Sequence, residues 1–314
     1  MTTRQTANAI LKVVHPGLCT LVVDGGRPRH RSLGIPVGGA ADRAALALGN
    51  ALVGNPPDAA ALEVALAGPT LVADAELACV LFGAPFDIAS DRRPLAAGKT
   101  FTLRPGETLH VGGTATGARA YFCVRGGMRT PVVLGSRSSL EPLKAGAEIP
   151  CRSGSIPARF IDLTDGLRPS PTLRVLDGAQ ASWFPKEDLY SGDFAVAPAS
   201  NRMGIRLTGT PLPVPARELV SEPVCPGTVQ VTRDGQCIVL GVDAQTIGGY
   251  PKIAQVVSAD LDALGRLRPG DRIGFQRVTL AEAEALYRER QAWLRQWLKR
   301  LRAAEIIANP ACDS

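Results

Sequence analysis

Short apolar runs separated by turn residues make up most of the chain. Runs rich in Val, Ile and Leu and bounded by Gly or Pro are typical of β-strands. We predict strands at residues 10–14, 19–23, 61–66, 77–82, 108–111, 172–176, 237–242, 253–257 and 272–278. The pattern therefore predicts a mainly β protein with minor α.

Two segments change to helical spacing. Residues 41–53 are rich in Ala and Leu, carry Asp42 near their start and end at Gly54, which predicts a helix. Between residues 280 and 305, apolar side chains such as Tyr287 and Leu294 recur at helical spacing among Arg and Glu. We predict a C-terminal helix there, which docks on the body or on a partner chain rather than on a membrane.

Similar tight turns precede strands in distant parts of the chain. Leu103-Arg-Pro-Gly-Glu107 and Leu267-Arg-Pro-Gly-Asp271 are near copies, and Leu143-Lys-Ala-Gly146 is a looser variant. Such turns lie near the closing hairpins of small barrels, although Pro-Gly turns also recur by chance in β proteins. The recurrence favours two β units.

The polar, Pro-rich stretch Leu163–Pro171 is the predicted boundary between these units. We therefore expect an N-terminal β domain with one helix at 10–165 and a C-terminal β-barrel domain at 171–279. The C-terminal helix at 280–305 follows them.

Composition narrows the function classes. The chain has 314 residues, with 33 Gly, 25 Pro and a net charge of +6, but its arginines are scattered, which disfavours nucleic-acid binding. Its seven cysteines form no C-x-x-C pair and its three histidines lack ligand spacing, so we expect no metal site. Without a signal pattern or a run long enough to span a membrane, we expect a soluble, cytoplasmic protein that does not bind membranes.

The loop Gly248-Gly249-Tyr250-Pro251-Lys252 is the first candidate site. Two glycines allow positive φ or close approach to a ligand, and Pro251 stiffens the loop that delivers the cation. Just before it, Asp243 and Gln245 share a face of an extended chain. Together with Lys252 they supply an acid, an amide and a cation for one small ligand. The alternative is a common Gly-Gly turn followed by a solvated lysine.

Three further segments carry candidate chemistry, each with a structural turn as its alternative. Arg27 and Arg43 flank a glycine-rich stretch that opens the first helix and suits an anion, although it is not a P-loop. Asn201 and Arg202 precede a strand, where alternation would put Asn201, Met203 and Ile205 on one face. Glu222 precedes a Pro/Gly loop, and Thr228 and Gln230 share a face of the strand that follows.

A series of motifs runs along the chain from about residue 11 to 280. The motifs are Asp24-Gly-Gly-Arg27, Gly39-Ala-Ala-Asp-Arg43, Leu52-Val-Gly-Asn55, Ala61-Leu-Glu63, Gly135-Ser-Arg-Ser138, Ser200-Asn-Arg-Met-Gly204, Pro226-Gly-Thr-Val-Gln230, Asp243-Ala-Gln-Thr246, Gly248-Gly-Tyr-Pro-Lys252 and Ser258-Ala-Asp260. Their order resembles the KipA-like family, also called allophanate hydrolase subunit 2. That family includes the C-type subunit of the bacterial ATP-dependent 5-oxoprolinase and half of the carboxyltransferase domain of urea carboxylase.

The resemblance implies cyclophilin-like barrel units and an amidohydrolase component that opens the lactam of 5-oxoproline to glutamate. It implies two kinds of partner, a KipI-like B-type subunit together with a further A-type subunit, with ATP used by the complex and not through a P-loop here. Lys252 would bind a carboxylate or a developing oxyanion. Asn201 and Gln245 would orient the amide, and Asp243 or Glu222 would handle a proton.

Two alternatives remain open. One is a biotin-dependent carboxyltransferase acting on urea or a similar amide, the only case that would involve biotin. The other is a non-catalytic regulatory partner of a KipI-like protein. Compared with the family pattern, a loop of about a dozen residues after Ser139 is missing, which favours the regulatory role if that loop contacts substrate or a partner.

Overall fold

The structure, a computed structural model, describes residues 8–161, 171–185 and 187–308. The predicted linker Leu163–Pro171 therefore lies almost entirely outside the described residues. The chain forms two compact units. The first takes the described residues of Met1–Gly26, Arg43–Leu167 and Leu294–Ser314, and the second takes those of Arg27–Asp42 and Arg168–Trp293.

Ten strands and one helix form the body of the first unit. They are β1 (Asn8–His15), β2 (Cys19–Val23), α1 (Arg43–Leu52), β3 (Ala61–Ala65), β4 (Thr70–Ala73), β5 (Leu77–Gly83), β6 (Phe86–Ser90), β7 (Phe101–Leu103), β8 (Thr108–Thr114), β9 (Arg119–Val124) and β10 (Glu148–Arg152). The strands make two five-stranded sheets, with the orders β10-β1-β4-β8-β6 and β2-β3-β9-β5-β7.

Apolar side chains of both sheets share one core. In β1, the alternate residues Ala9, Leu11 and Val13 are fully buried, as the period of a strand requires. Strand β5 is buried on both faces instead, because α1 packs against β5 and β9. Such a strand has the continuous apolar sequence that the chain shows at 77–82.

A closed barrel is the centre of the second unit. Its strands are β11 (Thr172–Asp177), β12 (Phe194–Val196), β13 (Gly204–Thr208), β15 (Thr228–Val231), β16 (Cys237–Leu240), β18 (Lys252–Val256) and β19 (Arg272–Arg277). They follow the order β11-β18-β15-β16-β13-β12-β19, and a parallel pairing of β19 with β11 closes the ring. The predicted mainly β fold with a barrel is confirmed.

Short elements complete the second unit. A separate two-stranded ladder pairs β14 (Glu222–Pro223) with β17 (Ile247–Gly248). The remaining helices are α2 (Asp188–Ser191), α3 (Leu261–Leu264) and α4 (Leu280–Ala308). Helix α4 confirms the predicted C-terminal helix and extends a few residues beyond its predicted end. None of the helices in the described ranges is long and apolar enough to cross a membrane.

The repeated Pro-Gly turns have the same construction in both units. Arg104 N donates to Glu107 Oε2 at 2.8 Å, and Arg268 N donates to Asp271 Oδ2 at 2.9 Å. The intervening glycines, Gly106 and Gly270, take φ of 74° and 90°. Each turn therefore needs its glycine for the backbone and its carboxylate for the amide.

The segment 27–42 belongs to the second unit, although it lies within the range 10–165 predicted for the N-terminal domain. Gly38 N donates to Val242 O at 2.9 Å, and the guanidinium of Arg31 donates to Val224 O. At the end of the segment, Asp42 Oδ2 lies 2.6 Å from Arg266 Nε. Within this segment, Pro28–Leu33 form a 3-10 helix. These long-range contacts are not visible in local sequence patterns.

Three cysteines that lie in apolar runs of the sequence are buried. Cys79, Cys123 and Cys237 are at most 1% exposed. Burial raises the pKa of the Cys237 thiol to about 12, and it raises the pKa of Cys151 to about 12 as well. These thiols stay protonated near neutral pH, so they act as small core side chains.

Candidate functional site

Lys252 opens β18 in the second unit and is buried, with 7% of the residue exposed. The structure therefore excludes the alternative of a solvated lysine after a turn. Its backbone pairs with Gln230 of β15 at a bulge in the ladder. A buried ammonium needs a partner, because desolvation disfavours its charge.

Glu222 is that partner. Its Oε2 lies 2.6 Å from Lys252 Nζ, and its side chain is 41% exposed. The hydrogen bond from Lys252 lowers the pKa of Glu222 below its ordinary value, so the carboxylate is ionised near neutral pH. The described residues offer Nζ no hydrogen-bond acceptor of good geometry beyond this ion pair. A half-exposed carboxylate can leave such a pair for water, which would give an incoming anionic group access to the cation.

Gln180 connects the two charged residues. Its Oε1 accepts a hydrogen bond from Lys252 N at 3.0 Å, and its backbone N donates to Lys252 O at 3.0 Å. Its Nε2 donates to Glu222 Oε2 at 3.4 Å. Nearby Gly178 must be a glycine, because a Cβ there would lie 2.2 Å from Lys252 O. Gln180 thus fixes the start of β18 and orients Glu222.

Gly248 shows why the candidate loop needs a glycine. It pairs with Glu222 in the β14–β17 ladder, and a Cβ at this position would lie 2.5 Å from Gln230 Nε2. Neither Gly248 nor Gly249 has positive φ. Gly248 therefore accommodates the side chain of Gln230, and close approach of this glycine to a ligand stays a prediction. The ladder thereby brings Glu222, Gly248, Gln230 and Lys252 into one cluster with Gln180, which we call the lysine cluster.

Asp243 and Arg202 form a second, separate pair in this unit. Arg202 Nε and Nη2 donate to the two carboxylate oxygens of Asp243 at 2.6 and 2.9 Å, and Nη2 also donates to Gly39 O at 2.6 Å. Both side chains are at most 10% exposed. In this bidentate geometry each carboxylate oxygen of Asp243 accepts a hydrogen bond from the guanidinium. A role for Asp243 in moving a proton stays a prediction.

The two candidate arginines of the glycine-rich stretch lie in different units. Arg27 is 8% exposed and belongs to the second unit, where a Cβ on Gly38 would lie 3.7 Å from its Nη1 and 3.9 Å from Asp243 Oδ1. Arg43 is exposed and begins α1 in the first unit. Their joint binding of an anion stays a prediction.

Asn201 has a structural task that the predicted alternation did not show. Its Oδ1 accepts hydrogen bonds from Met203 N at 2.9 Å and Gly204 N at 3.3 Å. The strand begins only at Gly204, and Met203 is exposed while Ile205 is buried, so the shared face predicted for residues 201, 203 and 205 is wrong. The turn uses the amide oxygen of Asn201, which leaves its amide nitrogen as the atom for any ligand.

Gln245, Gly249 and Tyr250 lie at the surface of the second unit. No hydrogen bond or ion pair within the described ranges joins Gln245 or Asp243 to Lys252. The convergence of Asp243, Gln245 and Lys252 on one ligand therefore stays a prediction. Binding roles for Gly249 and Tyr250 also stay predictions.

Two members of the lysine cluster had no site role in the sequence analysis: Gln180 was not named there, and Gln230 was named only as sharing a strand face with Thr228. Gln180 follows a strand in a segment without a motif, so its role was not visible locally. Gln230 carried one signal, because it is a polar residue between Val229 and Val231 in a buried strand. Nothing in the described residues groups His, Cys, Asp or Glu side chains as a metal site.

Asp24 centres a different cluster in the first unit. It accepts hydrogen bonds from Ser136 Oγ, Ser138 Oγ and Arg137 N, each at 2.6 Å, and from Gly26 N at 2.8 Å. Burial acts to raise the pKa of Asp24, but the hydrogen bonds from these four donors outweigh it and lower the pKa. This aspartate cluster explains the Gly135-Ser-Arg-Ser138 motif as a structural support.

Known proteins are similar to this chain in sequence and in fold. The family model for the carboxyltransferase domain, subdomain A and B, matches residues 33–277. The C-type subunit of 5-oxoprolinase from Escherichia coli is 34% identical over 93% of this chain and 99% of that protein. The protein of the same name from Haemophilus influenzae is 33% identical over 88% of this chain and 93% of its own.

Solved structures of related proteins have the same fold. The urea carboxylase of Kluyveromyces lactis superposes with a TM-score of 0.82 at 26% identity, covering 92% of this chain and 29% of that longer chain. A second solved relative has a TM-score of 0.79 at 35% identity, and the match covers 87% of this chain and 57% of that one. This chain therefore belongs to the family of the carboxyltransferase domain, subdomain A and B.

Proposed function

We propose that this chain is the C-type subunit of an ATP-dependent, 5-oxoprolinase-like complex that opens the lactam of 5-oxoproline to glutamate. The observation that carries the proposal is its similarity, over nearly the full length of both chains, to two proteins that are named as this component of 5-oxoprolinase. In the reaction, the ring C–N bond breaks and water supplies the oxygen of the new carboxylate.

The lysine cluster suits the substrate of this reaction. Lys252 supplies a buried cation for a carboxylate or for the oxyanion that develops on the lactam carbonyl. Glu222 is the ion-pair partner of that cation and, being half-exposed, exchanges with an incoming anionic group. Because its pKa is lowered, Glu222 serves as an ionised partner rather than as a proton donor near neutral pH.

This proposal involves two kinds of partner, a KipI-like B-type subunit and an A-type subunit. The chain contains no P-loop sequence, so ATP enters through the complex rather than through a Walker-type site here. The proposed reaction proceeds only when the partner proteins are present.

Co-expression with homologues of the KipI-like and A-type partners tests the proposal. The purified complex is expected to release glutamate from 5-oxoproline only when ATP is added. A folded complex that contains all three proteins but releases no glutamate would refute this activity. Tight binding to the KipI-like protein without turnover would instead support a regulatory role.

A carboxyltransferase activity is the second candidate, and the family match favours it. Urea amidolyase of Saccharomyces cerevisiae is 27% identical over 88% of this chain, although the match covers 17% of that protein. Biotin on a separate carrier would supply the carboxyl group, and the buried cation of Lys252 fits such an anionic group. Carboxylation of urea by this chain with a carboxylated biotin carrier, and no glutamate release, would decide for this candidate.

A further inference from the structure

Gln230 has a buried polar group that the protein does not satisfy. The residue is 1% exposed, and its Nε2 has no hydrogen-bond partner among the described residues. Leaving a buried donor unpaired lowers the stability of the folded protein, and native proteins keep few such groups. An apolar side chain would suit this buried position between Val229 and Val231, so the presence of a glutamine needs an explanation.

The position of Gln230 supplies one. It lies directly opposite Lys252 in the β15–β18 ladder, and side chains of opposed residues lie side by side on the same face. Lys252 Nζ is also buried, with Glu222 as its ion-pair partner. One face of the ladder therefore presents two buried donors, one neutral and one charged.

The absence of a side chain at Gly248 makes room for the amide of Gln230. Because a Cβ at Gly248 would lie 2.5 Å from Gln230 Nε2, any side chain there would displace the amide. The next nearest atom, Val224 Cγ1, lies 3.4 Å from the same point, so the amide is the group that the glycine accommodates. The β14–β17 ladder thus keeps the amide and the ion pair together.

We propose that Gln230 is a substrate-binding residue whose Nε2 donates a hydrogen bond to the carbonyl oxygen of the substrate's N–C=O group, beside Lys252. The inference rests on the proposed function, since the substrate class comes from it. A site that contains a buried donor rejects a ligand without the matching acceptor, because the donor then stays unpaired. Gln230 therefore selects for a ring carbonyl.

Binding of two ligands to the full complex tests this role. 5-Oxoproline and proline share the ring and the carboxylate, but proline lacks the ring carbonyl. Calorimetry with wild type and Gln230→Met is expected to show about tenfold weaker binding of 5-oxoproline in the variant. The affinity for proline, measured directly or by competition, stays unchanged.

Gln255→Met is the matched control. Its amide is satisfied within the protein, because Nε2 donates to Pro226 O at 3.0 Å and Oε1 accepts from Thr228 Oγ1 at 2.8 Å. This change is expected to lower the thermal midpoint without altering selectivity between the two ligands. Gln230→Met, which removes an unpaired group, is expected to keep or raise the thermal midpoint.

The outcomes separate this inference from the proposed function. Equal weakening of both ligands, unchanged binding of 5-oxoproline, or no binding of it by wild type would overturn the role of Gln230. The wild-type complex could release no glutamate while Gln230→Met still weakens the binding of 5-oxoproline but not of proline. That result would support the role of Gln230 and refute the hydrolytic activity. Glutamate release by Gln230→Met with wild-type affinity would refute Gln230 alone.

Discussion

The aspartate cluster of the first unit and the lysine cluster of the second treat their polar groups differently. Around Asp24, one carboxylate accepts from four donors, and its pKa is lowered as a result. Around Lys252, a buried cation relies on a half-exposed carboxylate, and the amide nitrogen of Gln230 has no partner within the described chain. Both clusters contain motif residues, so the motifs alone do not separate them.

This contrast separates a motif that supports the fold from a loop that we propose binds a ligand. A closed network gains its full stabilisation inside the protein and has no capacity for a further group. A cluster with unused donors loses stability in the free protein and recovers it when an acceptor arrives. On this basis the Gly135-Ser-Arg-Ser138 motif is structural, whereas a binding role for the Gly248–Lys252 loop is our proposal.

Lys252→Met is expected to have the largest effect. It removes the cation from the site and should lower kcat/KM for glutamate release about 100-fold, the scale of losing one donor to a developing oxyanion. Stability should change little, because Glu222 is 41% exposed and stays hydrated. Lys99→Met, at an exposed lysine of the first unit, is the control. Wild-type activity in a folded Lys252→Met complex would contradict the assignment.

Asp24→Asn should affect stability rather than activity. An amide cannot accept the four hydrogen bonds, so the free energy of unfolding at pH 7 should fall by about 2 kcal/mol, as measured by chemical denaturation. Asp87→Asn, at an exposed residue of the same unit, should be neutral. A normal unfolding free energy combined with lost activity would reverse the roles given to the two clusters.

The pH dependence of the same pair of proteins provides a second measurement. The native pKa of Asp24 lies below its ordinary value of 3.8, so its contribution is fully present above that value. It is lost as the pH falls through the lowered native pKa. The stability difference between wild type and Asp24→Asn should therefore shrink below pH 3.8 and stay constant above it. A difference that grows on acidification would contradict this sign.

Gly248→Ala is the mildest of these changes. The new methyl group would meet the end of the flexible Gln230 side chain, which can move, so stability should fall by less than about 1 kcal/mol. Moving that amide should weaken 5-oxoproline binding by up to about tenfold. Gly274→Ala in β19 is the control, because a Cβ there has no neighbour within 4 Å. Equal affinities in the two variants would show that the close approach has no role in binding.

The sequence by itself determined the local elements and the order of the motifs. Strand runs such as 19–23 and 77–82 were predicted correctly, because β-branched and apolar residues between turn residues specify extended backbone over a few positions. The paired Pro-Gly turns were equally visible, since each depends on a glycine and a carboxylate within five residues. The collinear motifs were enough to indicate the family, which the family match confirms.

Only the tertiary structure decided which residues meet. The 27–42 segment joins the second unit through hydrogen bonds and an ion pair to distant residues, such as that of Asp42 with Arg266. Lys252 contacts Gln180 and Glu222, which come from other parts of the chain, and the strand register places Gln230 beside it. Local periodicity indicates which face of a strand is buried, but which strands pair and which residues lie opposite each other depends on how the strands close into a barrel. For this reason the candidate lysine was visible in the sequence, whereas its burial and the unpaired amide beside it were not.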